Sequence, residues 1–324
     1  MATTMVDAKE QARKPEQRIR ISPSAAIWLA VAGVLLLARV ISAGFWDMAH
    51  LLNVTRQASS LAIATVGQTF VILTGGLDLS NGMVITLVDV VAATILDGKD
   101  DLLVPVIFLC LSIGVLVGLV NGLLVTKLKV PPLVGTLGMF GILKGIAYVY
   151  TGGSPKGYIP PSLTFVGSGF VGPIPTQVFF GVGFTILGII VLRKTSFGRY
   201  LYAVGGNPTA SRLSGVRTDR VITMAYVSSS LLAAIAGLVL AGYIGVGSLS
   251  LGDGYNLNSI SAAVVGGTAF SGGVGTIVGS AGGSLFLALV ISLLRFLGLP
   301  YSNQLMVQGA ILALATYAHA RAQR

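Results

Sequence analysis

The sequence predicts an all-α integral membrane protein of about ten transmembrane helices, some short or interrupted by glycine, with both termini on the cytoplasmic side. Three observations lead there. Hydrophobic residues make up 54% of the chain and charged residues only 10%, whereas a globular domain carries about 25% charged residues. The only glutamates are Glu10 and Glu16, so the rest of the chain lacks a residue that water-facing helices use freely. Apolar windows near the ~20 residues needed to cross a bilayer recur along the chain, at 25–44, 57–74, 80–96, 102–125, 131–151, 177–193, 221–243, 256–271, 275–298 and 302–319.

The first window follows a basic cytoplasmic tail, 1–23, whose Lys9, Arg13, Lys14, Arg18 and Arg20 are too polar to insert. A cleaved signal peptide is the competing reading, but the tail is long and the apolar run exceeds a signal core. The second and third windows are short and flank the glycine-rich stretch GGLDLSNG at 75–82. The fourth and fifth are joined by a brief link carrying Lys127 and Lys129, and the sixth leads into a polar loop at 193–220. The seventh and ninth are long and predominantly apolar. The eighth is short and runs into a second glycine-rich stretch, GGTAFSGG at 266–273. The tenth completes a membrane domain of 24–320, leaving 321–324 as a cytoplasmic C-terminus.

Orientation follows from Lys and Arg, which cytoplasmic loops retain. With the N-terminus inside, fifteen basic residues fall on the cytoplasmic side, and only Arg56, Lys99 and Lys156 on the other. The net charge of +10 is thereby explained by basic loops meeting anionic headgroups of the membrane lipid and whatever docks at the inner face. Nucleic acid is not needed as a partner. Cys110 lies in an apolar run and offers neither a disulfide nor a metal site, so no metal is expected. His50 and His319 sit near span boundaries and read as interfacial.

Irregular backbone at membrane depth persists only when buried in protein or lining a wet cavity. At 75–82, Gly75 and Gly76 permit unusual backbone angles. Asp78 and Asn81 can bond freed amides there, with Asp78 or Ser80 as N-cap of the third span. Contact with a transported solute is the other reading for Asp78. The second stretch, with Gly266, Gly267 and Ser271, repeats the spacing Gly-Gly-x-x-x-Ser-x-Gly. Paired glycine interruptions in the two halves of a membrane protein point to a transporter's working region.

Polar residues inside spans are costly in lipid and should face the bundle interior or water. They are Arg39, Gln68, Asp89, Asn121, Lys144, Arg295 and Gln308. Arg39 and Arg295 lie near outer span ends, where long side chains snorkel. Asp89 and Lys144 are deeper: an ion pair between them, separate hydrogen bonds, or solute contact each account for them. No embedded Glu or His accompanies them, which argues against a proton relay. In the 193–220 loop, Asn207 can cap a short helix, Pro208 fits its first position and Gly215 can end it. A helix of about two turns is unstable alone in water, so it needs a partner.

The stretches GGLDLS, VNGLLVTKLKVPPLVGTLGMFGILKGIAYVYTGG, FGRYLYAVGGNPTASRLSGV and VVGGTAFSGGVGTIVGS together resemble the permease subunits of bacterial carbohydrate ABC importers of the ribose, xylose and arabinose type, in order from about residue 55 to 318. The resemblance implies a permease domain that moves a sugar or sugar-like solute from periplasm to cytoplasm across the inner membrane, without catalysis of its own. It implies as partners a second permease subunit, identical or not, an ATP-binding subunit that holds ATP and Mg, and a periplasmic solute-binding protein. It also implies that the cytoplasmic loop docks into the ATPase through Gly198, Tyr200, Gly206, Asn207, Ala210, Arg212 and Gly215. The chain departs from the family pattern at Asn81, Lys144, Val274 and Arg295, which leaves the solute open among sugars, sugar alcohols, furanose-like signals and nucleosides. Branched-chain amino acid permeases share the design and are the alternative within the class.

Two other classes compete. A passive channel or proton-coupled carrier explains the spans but has no use for an ordered cytoplasmic loop of this length. An intramembrane enzyme needs a nucleophile or metal cluster that the motifs do not supply. The chain also lacks a G-x-x-x-x-G-K-[ST] phosphate loop, so ATP-driven transport requires another subunit to bind the nucleotide. A topology reporter fused after Lys156 should be external and one fused after Asn207 internal; the reverse pattern would contradict the orientation.

Overall fold

A computed structural model describes residues 23–322; the basic tail at 1–22 and residues 323–324 lie outside the described residues, as does the side chain of His319. The chain runs through α1 (Pro23–Ile41), one turn of 3-10 helix (Ala43–Trp46), α2 (Met48–Leu73), α3 (Asn81–Leu96), α4 (Leu103–Thr126), α5 (Pro132–Thr151) and α6 (Pro161–Ser168). A two-stranded hairpin follows, β1 (Phe170–Val171) and β2 (Ile174–Pro175), paired antiparallel. Then come α7 (Thr176–Lys194), α8 (Ser196–Gly206), α9 (Pro208–Leu213), α10 (Thr218–Ile244), α11 (Tyr255–Val265), α12 (Ile277–Phe296) and α13 (Tyr301–Ala322).

Each apolar window coincides with a helix. Five of these, α4, α5, α7, α10 and α12, are long and apolar enough to cross a membrane, and α1 and α3 hold shorter apolar stretches. Three expectations need correction. The eighth window ends as a helix at Val265, and the 11 residues of α11 span only about 16 Å; it does not reach across, because Gly266 and Gly267 stop it. The 193–220 loop also contains more than one short helix: α8 occupies its first half. The second window's helix begins at Met48 rather than 57, since α2 extends into the polar end of the bundle.

The bundle is organised around α10. In its apolar stretch 67% of residues are buried, as in α12, against 28% in α4, α5 and α7, which places the latter three at the outside of the bundle. Close approach rather than bulk makes the centre. On α4, Gly114, Gly118 and Gly122 recur every fourth residue and lie directly on the α10 backbone at Ser230, Tyr226 and Thr223; a methyl at Gly118 would stand 2.5 Å from the Tyr226 carbonyl oxygen. Association of apolar helices in lipid depends on this kind of small-residue packing. Gly181 of α7 packs likewise on Ser59 of α2, and Gly188 receives the Val66 side chain.

The connections at one end of the bundle are tied together. Gly98 N donates to Tyr158 O at 2.8 Å and Ile159 N to Gly245 O at 2.9 Å, and Tyr158 pairs with Val246. The links after α3, α5 and α10 thus form one cap. The Arg56 guanidinium lies 4.4 Å from the Phe170 ring centre and donates to Ser168 O at 3.1 Å, pinning the hairpin to α2. His50 stands at the start of α2, with its Nε2 3.0 Å from Ser292 Oγ and its ring edge-on to Phe45. The other end carries α8, α9 and both glycine-rich breaks.

Candidate functional site

The first break, residues 74–80 between α2 and α3, is a polar knot sealed from solvent. Asp78, Ser80, Asn81, Gln68, Thr136, Tyr226 and Ser229 have no exposed surface. One carboxylate oxygen of Asp78 accepts from Ser80 N at 3.0 Å and Ser80 Oγ at 2.6 Å, and the other accepts from Ser229 Oγ of α10 at 3.1 Å. Asn121 Nδ2 of α4 donates to Ser80 Oγ at 2.9 Å. Thr136 Oγ1 of α5 accepts from Leu79 N at 3.1 Å, and the Tyr226 hydroxyl donates to Leu77 O at 3.3 Å. Turned to serve the Asp78 peptide, the Gln68 carboxamide of α2 donates to Asp78 O at 3.1 Å, accepts from Asp78 N at 3.2 Å and meets the Asn81 carboxamide at 2.8 Å.

This arrangement gives Asp78 the amide-bonding role expected from sequence. It corrects one detail: Ser80 stands at the N-cap position without capping through its side chain, because its hydroxyl is committed to Asp78. The break is tied to α2, α4, α5 and α10 at once, and both carboxylate oxygens of Asp78 find partners, as burial demands, while Asn121 Oδ1 is left without one. Gly75 has φ +79°, in the left-handed region that favours glycine. Gly76 has no such angle; a Cβ there would stand 2.7 Å from the Tyr226 hydroxyl.

The second break, 266–276, lies against the first. Gly273 N donates to Leu73 O, the carbonyl that ends α2, at 2.9 Å. Gly267, Gly272 and Gly273 all have positive φ, at +97°, +82° and +71°. A Cβ at Gly266 would collide with the backbone of Gly279 at the start of α12, and Thr276 caps that helix by accepting from Gly279 N at 3.0 Å. The two copies of the repeated glycine spacing therefore share one junction at the same end of the bundle. Ser271 is exposed at its surface, as is Val274.

α8 completes the junction. Gly205 packs between the two breaks so closely that a Cβ would collide with Leu73 O and Gly273 N. The Tyr202 hydroxyl donates to Gly275 O at 2.8 Å, and burial pushes its pKa up from the ordinary phenol value. Thr195 caps α8 by accepting from Gly198 N at 3.2 Å, and Gly198 packs on the Leu192 backbone at the end of α7. From Gly206 the chain turns directly into α9, which has the punctuation read from sequence: Asn207 Oδ1 accepts from Ala210 N at 2.9 Å, Pro208 opens the helix and Gly215, at φ +84°, follows its end. The base of α9 is held by Arg212, which donates to Thr218 Oγ1 at 3.1 Å and faces Asp219 at 3.7 Å; Lys127 also pairs with Asp219, at 3.2 Å. Its outer face holds Ala210 and Leu213, the latter 85% exposed.

The remaining candidates stand elsewhere. Asp89 and Lys144 do not pair: Asp89 is buried on α3 and accepts from Ser248 N at 2.7 Å, whereas Lys144 is exposed on α5. Tyr200 is exposed and lies apart from the breaks, one turn-face away from Tyr202, which the sequence reading passed over. Gly205 and Leu213 were also missed. Arg39 is exposed, compatible with snorkelling. Arg295 is not simply extended toward water, since it donates from Nη1 to Gln57 Oε1 at 3.1 Å and from Nε to Gln304 Oε1 at 3.3 Å.

Among the described residues no group of His, Cys, Asp and Glu is placed to hold a metal ion. What the junction offers is mechanical: two helix breaks and a protruding helical hairpin joined by backbone contacts. Gly76→Val should lower folded yield, because overpacking against Tyr226 costs about 1–3 kcal/mol. Asp78→Asn should be milder, since an amide preserves most of the bonding; size-exclusion yield and thermal stability in detergent check both, and equal tolerance would mark an ordinary turn.

The chain matches the family model described as branched-chain amino acid transport system / permease component over residues 50–316. It is 35% identical over 297 residues to the ribose import permease protein RbsC of Escherichia coli (strain K12), covering 89% of this chain and 90% of that protein. Identity to the ribose import permease protein RbsC of Bacillus subtilis (strain 168) is 35% over 285 residues, covering 87% and 88%. For the galactose/methyl galactoside import permease protein MglC of Escherichia coli (strain K12) it is 33% over 289 residues, covering 84% and 86%. No solved structure matches. With a family match across most of its length and relatives of this identity covered almost end to end, the chain belongs to the branched-chain amino acid transport system / permease component family.

Proposed function

We propose that this chain is the membrane-spanning permease subunit of an ATP-driven importer, that it carries a sugar or sugar-like solute into the cytoplasm, and that α8 and α9 receive the force of the ATPase. The observation that carries the reading is the junction at Gly205. The hairpin's root is packed into both helix breaks, while its tip presents Ala210 and the apolar Leu213 to the outside. An apolar side chain 85% exposed on a six-residue helix fits a surface that another subunit covers. The ribose and galactose import permeases among its relatives support the solute class.

In this reading the α8/α9 end faces the cytoplasm of a cell whose inner membrane holds the protein, and the cap of links faces a periplasmic solute-binding protein. ATP and Mg belong to the partner ATPase. Two permease subunits, each seated on an ATP-binding subunit, form the transporter. Closure of the ATPase pair pushes α9, and α8 passes the displacement to the ends of α2 and α12 through Gly205 and Tyr202. The breaks are the points at which those helices can tilt without loss of intrahelical hydrogen bonds. Selection at the binding protein lets the pathway itself remain weakly binding.

Ala210→Glu should leave insertion and folding intact and abolish uptake. The change places bulk and charge into a docking contact, and an uncompensated buried charge costs about 3–5 kcal/mol. The assay is co-purification of the ATPase together with ATP-dependent uptake of D-ribose, D-galactose and L-leucine in proteoliposomes containing the whole importer. Sugar uptake lost in the variant together with ATPase association is the expected result; normal association and uptake in the variant would remove the coupling assignment, and L-leucine uptake without sugar uptake would reassign the solute.

A further inference from the structure

At the end of the bundle away from α8 and α9, a cavity of about 120 Å³ opens between α2, α11, α12 and α13. Its wall is unlike the apolar grooves elsewhere on the helix bundle. Four carboxamides converge on it, Gln57, Asn258, Gln304 and Gln308, with Arg295 among them and Asp253 also in the lining. Gln304 and Gln308 are only 4% and 9% exposed. Tyr255 and Tyr301 add aromatic surface.

Several of these groups are held in place yet have bonding capacity left. Arg295 bridges Gln57 and Gln304 through Nη1 and Nε, and Gln304 Nε2 donates to Leu299 O at 3.1 Å. That network fixes the guanidinium and leaves Nη2 uncommitted among the described residues. Asn258 Oδ1 is buried without a hydrogen-bond partner, and the Gln308 carboxamide makes no hydrogen bond among the described residues. Buried polar groups normally find partners, and unpaired ones around a concave site are complementary to a ligand.

We propose that this cavity is a solute-binding site on the entry side of the permease and that its ligand is a neutral polyhydroxylated molecule of monosaccharide size. Each carboxamide offers a donor and an acceptor side by side, the pairing that neighbouring hydroxyls require. Arg295 shares the wall with an acidic residue, Asp253, and two of its nitrogens are already taken by glutamines, so the site is not built to clamp a carboxylate. The tyrosine rings supply flat surface for the C–H faces of a sugar. The inference rests on the importer reading above, which places this end toward the periplasm, where solute arrives.

The test uses the complete importer in proteoliposomes, and the permease with its ATPase in nanodiscs without the binding protein. The probes are D-ribose, D-galactose and L-leucine. Saturation-transfer NMR should show that the transported sugar contacts the permease. Gln308→Leu, which conserves bulk and breaks no protein hydrogen bond, should weaken that binding and raise the apparent KM for uptake about tenfold, the effect of one lost hydrogen bond to a ligand. Tyr301→Cys, in a Cys110→Ser background, should react with a maleimide more slowly when the sugar is present. Unchanged binding and KM in folded Gln308→Leu, or labelling of Tyr301→Cys indifferent to the sugar while uptake of that sugar proceeds, would overturn the site and leave the importer reading standing. Wild-type uptake of L-leucine with neither sugar carried would overturn both.

Discussion

The structure depends on a backbone contact that admits no side chain. At Gly205 the end of α8 lies against the last carbonyl of α2 and the Gly273 peptide, and Gly273 N donates to that same carbonyl, Leu73 O. A single Cβ would separate three segments. Because interiors are close-packed, displacement at such a contact is transmitted rather than absorbed. The Tyr202 hydroxyl on Gly275 O adds a second tie one turn earlier. The hairpin that leaves the bundle and the breaks that enter it are thereby one object.

Around this object the membrane bundle holds itself together by two different means. In the apolar zone, Gly114, Gly118 and Gly122 bring α4 onto α10, where lipid supplies no hydrophobic drive for helices to associate. Near the first break, where regular helix stops, the knot of Gln68, Asp78, Ser80, Asn81, Asn121 and Ser229 replaces the lost backbone bonds. Such irregular backbone survives at membrane depth because protein surrounds it. These polar residues accordingly serve the architecture of the break, with no exposed surface left for a passing solute apart from the 1% of Asn121.

What the sequence disclosed and what it concealed follow from the range of the interactions. Apolar windows report burial in lipid, a property of consecutive residues, and each of them proved to contain a helix. Caps are equally local, so Asn207, Pro208 and Gly215 were legible. The eighth window was read as spanning because its alanines and valines continue the apolar run, yet Gly266 turns the chain by close contact with α12, which lies further along the sequence, and Gly267 by its positive φ. Asp89 and Lys144 look like a pair in one dimension; in space Ser248, 159 positions away, supplies the partner of Asp89. Tyr200 and Tyr202 differ only in which face of α8 they occupy, and Gly205 and Gly206 only in which one meets Leu73. The every-fourth glycine pattern of α4 was present in the sequence and could have been found as a small-residue helix interface.

The central claim is that α9, α8 and the second break move as one body. Pulsed electron–electron distance measurement tests it most directly, with spin labels on Ser214→Cys at the end of α9 and Val274→Cys, both exposed positions, in a Cys110→Ser background and with the complete importer in nanodiscs. Between nucleotide-free and ATP-trapped states the Ser214–Val274 distance should stay constant while the distance from Ser214 to a label at Lys99, at the other end of the bundle, changes. A Ser214–Val274 distance that shifts with nucleotide would contradict the account, because the hairpin would then move without carrying the break.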